Sequence, residues 1–462
     1  MGQNGTQVRS IKLVIYGLAF VMPPLMIGVL FTLSAVSELM IHKTPQPLPA
    51  AVLSSVTAPN SGAPKLNAAI LMSNAGTELT DLLGPYEILA SSGAFHVYTV
   101  APEKRLSPTT GAVDIVPQYS FKDAPTPDLL VIPAILDPSN PEEREWVRAT
   151  ARSASLTLVL CEGARIAALA GILDNHYATS HFVALKSLPE LYPQIHWVQG
   201  ARYVSDGNVI SSAGITASLD ATLYAIEKLK SRETAENTAS GLGYSWNRLD
   251  DPSGPALTAA LKDSAAPKLG AADYFQLVLK GGFDWTKHSV SVFLYPGVSE
   301  LAVAAALDTY PRALTAHIST LAKTRSLITT RHGLSLYPTE AIADYTHPDL
   351  LIVPSGSLVN LAAPDSALLS RSRLVENLSN RPAGKGFEDS LNSILRLDGG
   401  TTTRLIAKLI EYPLPAEWAP ASDSSAYPFS IAIRPFLLGL CGILLARLLI
   451  KKVAVQFARK LE

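Results

Sequence analysis

Residues Leu156 to Leu173, LTLVLCEGARIAALAGIL, join a short apolar strand pattern directly to a helical pattern. The strand LTLVL runs into Cys161-Glu162-Gly163, and the helix follows at once. A sharp turn of this kind holds its first side chain clear of the sheet, above the positive end of the helix. That position favours a thiolate and predicts a cysteine pKa below about 8.5. The local pattern leaves open a second interpretation, a small buried cysteine at a strand end.

Short apolar runs resembling LTLVL recur upstream, separated by helical patterns. They lie at Ala68 to Met72, His96 to Val100 and Leu129 to Ile132. Strands that alternate with helices predict a parallel sheet covered on both faces. The expected fold class is therefore α/β, a flavodoxin-like doubly wound sheet.

The second half of the chain repeats this order. PDLLVIP at Pro127 to Pro133 matches PDLLIVP at Pro348 to Pro354, a shift of 221 positions, and GAVDIVP from Gly111 matches the GLSLYP of HGLSLYP from Gly333, a shift of 222. Two matches in nearly one register predict a duplicated domain. The two predicted domains pack on each other within the chain, and a homodimer is a further expectation.

The second domain is predicted to be degenerate. At the shifted positions Ala302 replaces Asp81 and Pro382 replaces Cys161, and no strand between Ser357 and Gly400 runs into a Cys-x-Gly turn. We therefore expect this sheet to lack its elbow strand, with Leu405 to Ile410 as its closing helix.

Two apolar segments predict membrane spans. Hydrophobic residues make up 48% of the 462 residues and charged residues only 17%, and the mean hydropathy is +0.21. Leu13 to Val36 carries no charge over 24 residues, about 36 Å of helix against a bilayer core of about 30 Å. Pro435 to Ile450 is shorter and contains Arg447. A cleaved signal peptide is the alternative for the first segment.

Basic residues on the outer sides of both spans predict the orientation. They are Arg9 and Lys12 before the first span, and Lys451, Lys452, Arg459 and Lys460 after the second. Basic flanks favour the cytoplasmic side. We expect a cytoplasmic-membrane protein with cytoplasmic termini and extracytoplasmic soluble domains.

The expected organisation has six parts. They are a transmembrane anchor (1–43), a linker (44–66), a domain with the elbow cysteine (67–230), a linker with one short helix (231–288), a degenerate second domain (289–412), and a transmembrane helix with a basic tail (431–462).

The composition also limits the kinds of partner that the chain is expected to bind. With 38 Lys and Arg against 39 Asp and Glu, the net charge is -1, which gives no field to attract nucleic acid.

Cys161 and Cys441 are far apart in the sequence, so we expect free thiols. His176 and His181 do not have metal-pair spacing, and we expect neither metal nor cofactor. The expected partners are the membrane and a small-molecule substrate or ligand.

Three further motifs accompany the Cys161 segment in order: TDLLGPYEILA (Thr80 to Ala90), ATSHF (Ala178 to Phe182) and SDGNVISSAGITASLD (Ser205 to Asp220). Together they resemble the ThiJ/PfpI family of the class I glutamine amidotransferase-like superfamily. The likeness is greatest to the isonitrile-hydratase-like and AraC-regulator-associated branch. It covers roughly residues 66 to 230.

The resemblance implies a site. Cys161 takes the place of the family's nucleophile, Asp81 that of the acidic residue facing it, and His181 that of the T-x-H histidine. An ordinary buried histidine is the alternative for His181. Backbone amides at Glu162, Ala134 and Ile135 occupy the positions of the oxyanion site, although Glu162 replaces a usual Thr and Ala134 and Ile135 replace a usual Gly pair.

The resemblance implies a hydrolase or hydratase acting on a small electrophile, and the two apolar segments predict that it is anchored in the membrane. The carboxylate of Glu162 opposes thiolate formation. A non-catalytic ligand-binding or redox-sensing module on the same fold is the alternative.

Overall fold

The computed structural model describes residues 2–40, 47–56, 65–261, 268–285, 287–344, 348–356, 372–414 and 429–460. The predicted linker 44–66, the predicted elbow region 357–400 and the basic tail lie partly outside these residues.

The helices of the described residues are α1 (Gly2–Met40), α2 (Ala50–Ser55), α3 (Leu79–Ser91), α4 (Pro141–Ser153), α5 (Ala164–Leu169), α6 (Leu188–Leu191), α7 (Thr216–Leu229), α8 (Arg232–Leu242), α9 (Gly254–Ala260), α10 (Ala271–Phe283), α11 (Glu300–Thr309), α12 (Gly386–Leu409) and α13 (Phe429–Lys460). The strands are β1 (Leu66–Leu71), β2 (Phe95–Ala101), β3 (Ser107–Pro108), β4 (Val113–Val116), β5 (Tyr119–Ser120), β6 (Leu129–Ile132), β7 (Leu156–Val159), β8 (Tyr177–Ala178), β9 (His196–Trp197), β10 (Tyr203–Asp206), β11 (Val209–Ser212), β12 (His288–Phe293), β13 (Ala316–Ala322), β14 (Ile328–Thr329), β15 (Ser335–Pro338), β16 (Glu340–Ala341), β17 (Leu350–Val353) and β18 (Leu374–Asn377).

The first sheet has seven strands in the order β10-β11-β7-β6-β1-β2-β5. All neighbours are parallel except β10 and β11. Successive residues of its central strands enter two different cores: Ile70 and Leu158 face one, Leu71 and Val159 the other. Because both faces are covered, the strands are continuous apolar runs. The predicted α/β class with a parallel sheet is confirmed.

The second sheet has five parallel strands in the order β16-β13-β12-β17-β18. Its pairing repeats that of the first sheet: Val290 lies opposite Leu350 as Ala68 lies opposite Leu129. As expected, β17 lies beside the first strand of its sheet.

The prediction that this sheet lacks an elbow strand is wrong. Strand β18 pairs in parallel with β17 and leads through Leu378–Pro382 to a 3-10 turn at Ala383–Lys385 and then to α12. Its residues LVEN are partly exposed, so the sequence carries no apolar run there. The range Gly386–Leu409 consists of two helical segments that meet at Gly399, whose φ is 79°, and the predicted closing helix belongs to the second of them.

The two units are joined by strands and helices. β4 and β15 form an antiparallel ladder in which Ile115 lies opposite Leu336, and α3 packs against α11. One apolar core includes residues of both units, for example Leu82 and Leu301.

Residues 231–288 are more ordered than a linker with one short helix, which corrects that prediction. Three helices, α8, α9 and α10, occupy this segment. α8 packs on α7, and α10 packs on α1 and α13.

Two helices are long and apolar enough to cross a membrane, over Ile11–Ser34 and Ile433–Val453. Helices α1 and α13, which contain these segments, pack closely on each other. At Gly439 an added Cβ would lie 2.6 Å from the Phe20 ring, so glycine permits this approach. The Arg447 guanidinium lies 5.5 Å from the centre of the Tyr16 ring.

Candidate functional site

Cys161 lies at the turn from β7 into α5. Its φ is 52°, a conformation that costs a non-glycine residue free energy and is concentrated at functional sites. The Ser180 hydroxyl donates to the Cys161 carbonyl oxygen at 2.8 Å, and the Cys161 amide donates to Ser212 Oγ at 3.4 Å. Two residues on, a Cβ on Gly163 would lie 2.7 Å from the Pro133 carbonyl oxygen and nearer still to that of Ile132. The turn therefore requires glycine at this position.

The turn borders a cavity of about 280 Å³. Both units and α10 contribute to its lining. The lining residues are Glu78, Thr110, Ala134, Ile135, Leu136, Cys161, Glu162, His181, Ile215, Leu277, Asp308, Pro311, Arg312, Leu314 and Leu409.

A buried group of three carboxyls and one guanidinium lies beside Cys161. Glu78 caps α3, since its Oε2 accepts from the Asp81 amide at 2.7 Å. Arg312 Nη2 lies 3.2 Å from Glu78 Oε1 and 3.5 Å from Asp308 Oδ1. Asp308 in turn accepts from the Thr80 amide at 3.0 Å. One cation thus faces three carboxyl groups.

Because three buried carboxyl groups face one cation, the cluster favours protonated carboxyl groups. Burial raises the pKa of Asp81 to about 7, against a hydrogen bond from the Ala134 amide. Burial, followed by the charge of Asp308, raises the pKa of Glu78 well above its ordinary value. At neutral pH this cluster therefore holds protons close to the thiol. No hydrogen bond links Asp81 to Cys161 among the described residues, so Asp81 acts on the thiol through its charge.

The predicted lowering of the Cys161 pKa is wrong. The residue is only 5% exposed, and burial, followed by the charges of Asp81 and Glu78, raises its pKa well above the ordinary value. The α5 helix has only six residues, and its N-terminal field does not offset these effects. Cys161 is a protonated thiol in the resting state.

His181 lines the cavity but has its ring nitrogens engaged. Nε2 lies 3.1 Å from the Leu409 carbonyl oxygen, and Nδ1 accepts from the Val183 amide at 3.4 Å. Burial lowers its pKa to about 4, so it is neutral at pH 7. This geometry favours the alternative of an ordinary buried histidine.

Two of the residues predicted to form the oxyanion site, Ala134 and Ile135, already have partners in the fold. The Ala134 amide donates to Asp81 Oδ2 at 3.3 Å, and Ile135 forms a bridge with Thr77. Glu162 Oε2 pairs with Arg165 at 2.6 Å, and the Glu162 charge is also among the causes that raise the pKa of Cys161.

Sequence reasoning missed the contribution of the second unit. Asp308, Arg312, Leu314 and Leu409 reach the cavity, and Glu411 Oε1 lies 3.8 Å from His181 Nε2. These residues lie outside the segment of family resemblance and belong to no motif. Glu78 had a usable signal, since it stands three residues before Asp81 at the start of a predicted helix.

Among the described residues, Glu87, Glu300 and His332 bring ligand atoms within 4.8 Å of one another. Their atoms are already engaged: His332 Nδ1 with Glu300 at 3.0 Å and Glu87 with the Arg331 guanidinium at 3.2 Å. Because a cation is already present, the cluster is an ion-pair network between the units and a poor metal site.

The fold and the site define an α/β protein with a strained cysteine at a strand-to-helix turn beside a buried acid. The DJ-1/PfpI family model matches residues 67–228. An isonitrile hydratase of Pseudomonas putida is 30% identical over 205 residues, which are 41% of this chain and 86% of that protein. The chain belongs to the DJ-1/PfpI family, as the sequence motifs predicted.

Two further similarities were found. The HTH-type transcriptional regulator CdhR of Pseudomonas aeruginosa is 35% identical over 99 residues, 21% of this chain and 29% of that protein. The crystal structure of a ThiJ/PfpI family protein from Pseudomonas syringae aligns with 24% identity and a TM-score of 0.37, covering 48% of this chain and 93% of that one.

Alkylation of Cys161 by iodoacetamide should have a midpoint above pH 9 and should be slower at pH 7 than that of a free thiol. Asp81→Asn should lower the midpoint by about one pH unit, because it removes the carboxylate charge that acts most strongly on the thiolate. Peptide mass spectrometry distinguishes Cys161 from Cys441, and Asp251→Asn is the control at an exposed site. A midpoint below 8.5 would contradict the protonated resting thiol.

Proposed function

We propose that this chain is a membrane-anchored enzyme in which Cys161 adds to a small electrophilic carbon, in a hydratase or hydrolase reaction. The observation that carries the proposal is a strained cysteine lining a cavity beside an acid whose pKa is about 7. Proton transfer is efficient when the pKa of the acid lies near the working pH.

The residues support a balanced sequence of steps. The Cys161 sulfur forms a bond to the substrate carbon while the thiol proton passes through one water molecule to Asp81, because no hydrogen bond joins the two side chains directly. The protonated Asp81 returns this proton to the substrate atom that gains the electron pair. For an isonitrile, water then adds to the same carbon, one of its protons goes to the substrate nitrogen and the other to sulfur, the carbon–sulfur bond breaks, and the formamide leaves with the thiol restored. Glu78 positions Asp81 through the Asp81 amide.

Isonitriles are the first substrates to test, since the relative from Pseudomonas putida is an isonitrile hydratase. The full-length chain in detergent should convert a short alkyl isonitrile to the formamide, with nitriles, amides and aldehydes assayed in parallel. Cys161→Ala should lower the rate at least 10³-fold, and Cys441→Ala is the matched control. Turnover that survives Cys161→Ala would overturn the mechanism.

A ligand-binding module is the second candidate. It is favoured by the raised thiol pKa and by the engagement of the Ala134 amide and of both His181 nitrogens. Redox sensing is less well supported, because sensor cysteines are exposed thiolates. Tight binding of an isonitrile without turnover would favour this candidate.

Anchoring and orientation belong to the same proposal. The two apolar helices and their basic flanks support a cytoplasmic-membrane protein whose soluble units face outward. Reporter fusions near Leu242 test the orientation, and cytoplasmic activity of the reporter would contradict it.

We also propose that the second unit is a diverged copy of the first that takes the place of a partner subunit. Reciprocal contacts support this: Glu87 accepts from the Leu301 amide at 2.7 Å, and Asp308 accepts from the Thr80 amide at 3.0 Å. Glu87 and Asp308 differ by 221 positions, as do Thr80 and Leu301. Such exchange is typical of a two-fold interface. Light scattering in detergent should show single chains, and a stable dimer would contradict the replacement.

A further inference from the structure

We propose that the Cys161 cavity receives its ligand from the membrane, and that this ligand is a small electrophile bearing an apolar group. The inference rests on the proposed function, because it requires both the membrane anchor and a reactive Cys161.

The cavity lining combines polar and apolar groups. Glu78, Cys161 and Arg312 contribute polar groups, whereas Leu277 of α10 and Leu314 contribute apolar side chains. We call Leu277 and Leu314 together the α10 wall. A ligand that fits both kinds of lining carries a polar reactive group at one end and an apolar group at the other.

The α10 wall rests directly on the first candidate span. An added Cβ on Gly281 of α10 would meet both Leu314, at 2.9 Å, and Thr32 Oγ1 of α1, at 3.1 Å. A Cβ on Gly282 would likewise lie 2.7 Å from Gly28 Cα. The cavity wall and a helix long enough to cross a bilayer therefore meet at the same part of α10.

The depth of this contact places α10 at the membrane surface. Gly28 lies six residues before Ser34, the end of the apolar segment Ile11–Ser34, which is about 9 Å along the helix. Phe283 packs there with partly buried Ile27 and Leu438. The C-terminal end of α10 is thus at the level of the outer hydrocarbon.

The exposed residues of α10 and those just after it have the chemistry expected at the bilayer interface. Tyr274 and Phe275 are 46% and 60% exposed, and Trp285 is 57% exposed. Arg434 lies over the Trp285 ring at 4.9 Å, and Lys186 donates to the Tyr274 hydroxyl at 2.9 Å. Exposed aromatic rings with cations beside them are typical of the bilayer interface. An apolar molecule dissolved in the bilayer therefore meets α10 before it meets bulk water.

A matched pair of alkylating probes tests the inference. The full-length chain carrying Cys441→Ser is reconstituted in liposomes, and Cys161 is labelled with iodoacetamide or with N-hexyl iodoacetamide. We expect the hexyl probe to react at least tenfold faster. Leu277→Gln and Phe275→Gln should each lower this ratio at least threefold, because they make the wall or the entry face polar. Leu191→Gln, at a leucine 58% exposed on α6, should leave the ratio unchanged.

The outcomes separate this inference from the proposed function. Equal rates for the two probes, or a ratio that Leu277→Gln and Phe275→Gln leave unchanged, would overturn membrane delivery while leaving Cys161 reactive. Failure of both probes to label Cys161, together with absent turnover, would instead overturn the proposed function.

Discussion

Gly163→Ala should prevent the first unit from forming its turn at Cys161. The added Cβ would lie 2.7 Å from the Pro133 carbonyl oxygen and closer to that of Ile132. These are backbone atoms of the end of β6 and cannot rotate away, so β6 or the turn itself must move. We expect a loss of about 3 kcal/mol in the free energy of unfolding, at the upper end for overpacking, measured by urea unfolding in detergent.

The same variant should lose the isonitrile turnover that we propose, because the cysteine is displaced relative to Asp81. Gly241→Ala is the matched control: it also adds one methyl group to a glycine, but no atom lies within 4 Å of its Cβ. Equal unfolding free energies for the two variants would contradict the requirement for glycine at position 163.

Arg312→Ala should destabilise the protein by about 3 kcal/mol, since it leaves the buried carboxyls of Glu78 and Asp308 without their cation. The Arg312 side chain is 25% exposed, whereas those of Glu78 and Asp308 are 9% and 3% exposed. Urea unfolding in detergent measures the loss. Adding Glu78→Gln to Arg312→Ala should recover part of it, because it removes one of the two buried carboxyl groups that Arg312→Ala leaves without a cation.

Arg396→Ala serves as the control for Arg312→Ala. Arg396 also pairs with a carboxylate, Glu376, but its side chain is 63% exposed, and exposed pairs contribute about 0.5 kcal/mol. A loss below about 1 kcal/mol for Arg312→Ala would show that the cluster does not depend on its cation.

Both predictions concern residues that the fold brings together from distant parts of the chain. Gly163 lies against the end of β6. Arg312, in the second unit, pairs with Glu78, which caps α3 of the first unit. Neither effect is visible in the local sequence, although the glycine itself belongs to the turn that the sequence revealed.

The sequence alone was sufficient for features that repeat along the chain. Apolar runs revealed β6, β7 and β17, because strands buried on both faces carry apolar side chains at every position. The two long apolar helices and the Cys161 turn could be predicted for a similar reason, since each depends on residues adjacent in sequence. The polar edge strand β18 was not predicted, because its residues LVEN are partly exposed and form no apolar run.

Tertiary structure decided the chemistry of the site. The turn at Cys161 was predictable, but the pKa of its thiol rises because the fold buries it and places Asp81 and Glu78 nearby. Arg312 and Leu277 reach the same cavity from other elements, and no periodicity or spacing in the sequence indicates that they do. Hydrophobic patterning acts over neighbouring residues, whereas burial and electrostatic interaction act through space between residues that only folding makes neighbours.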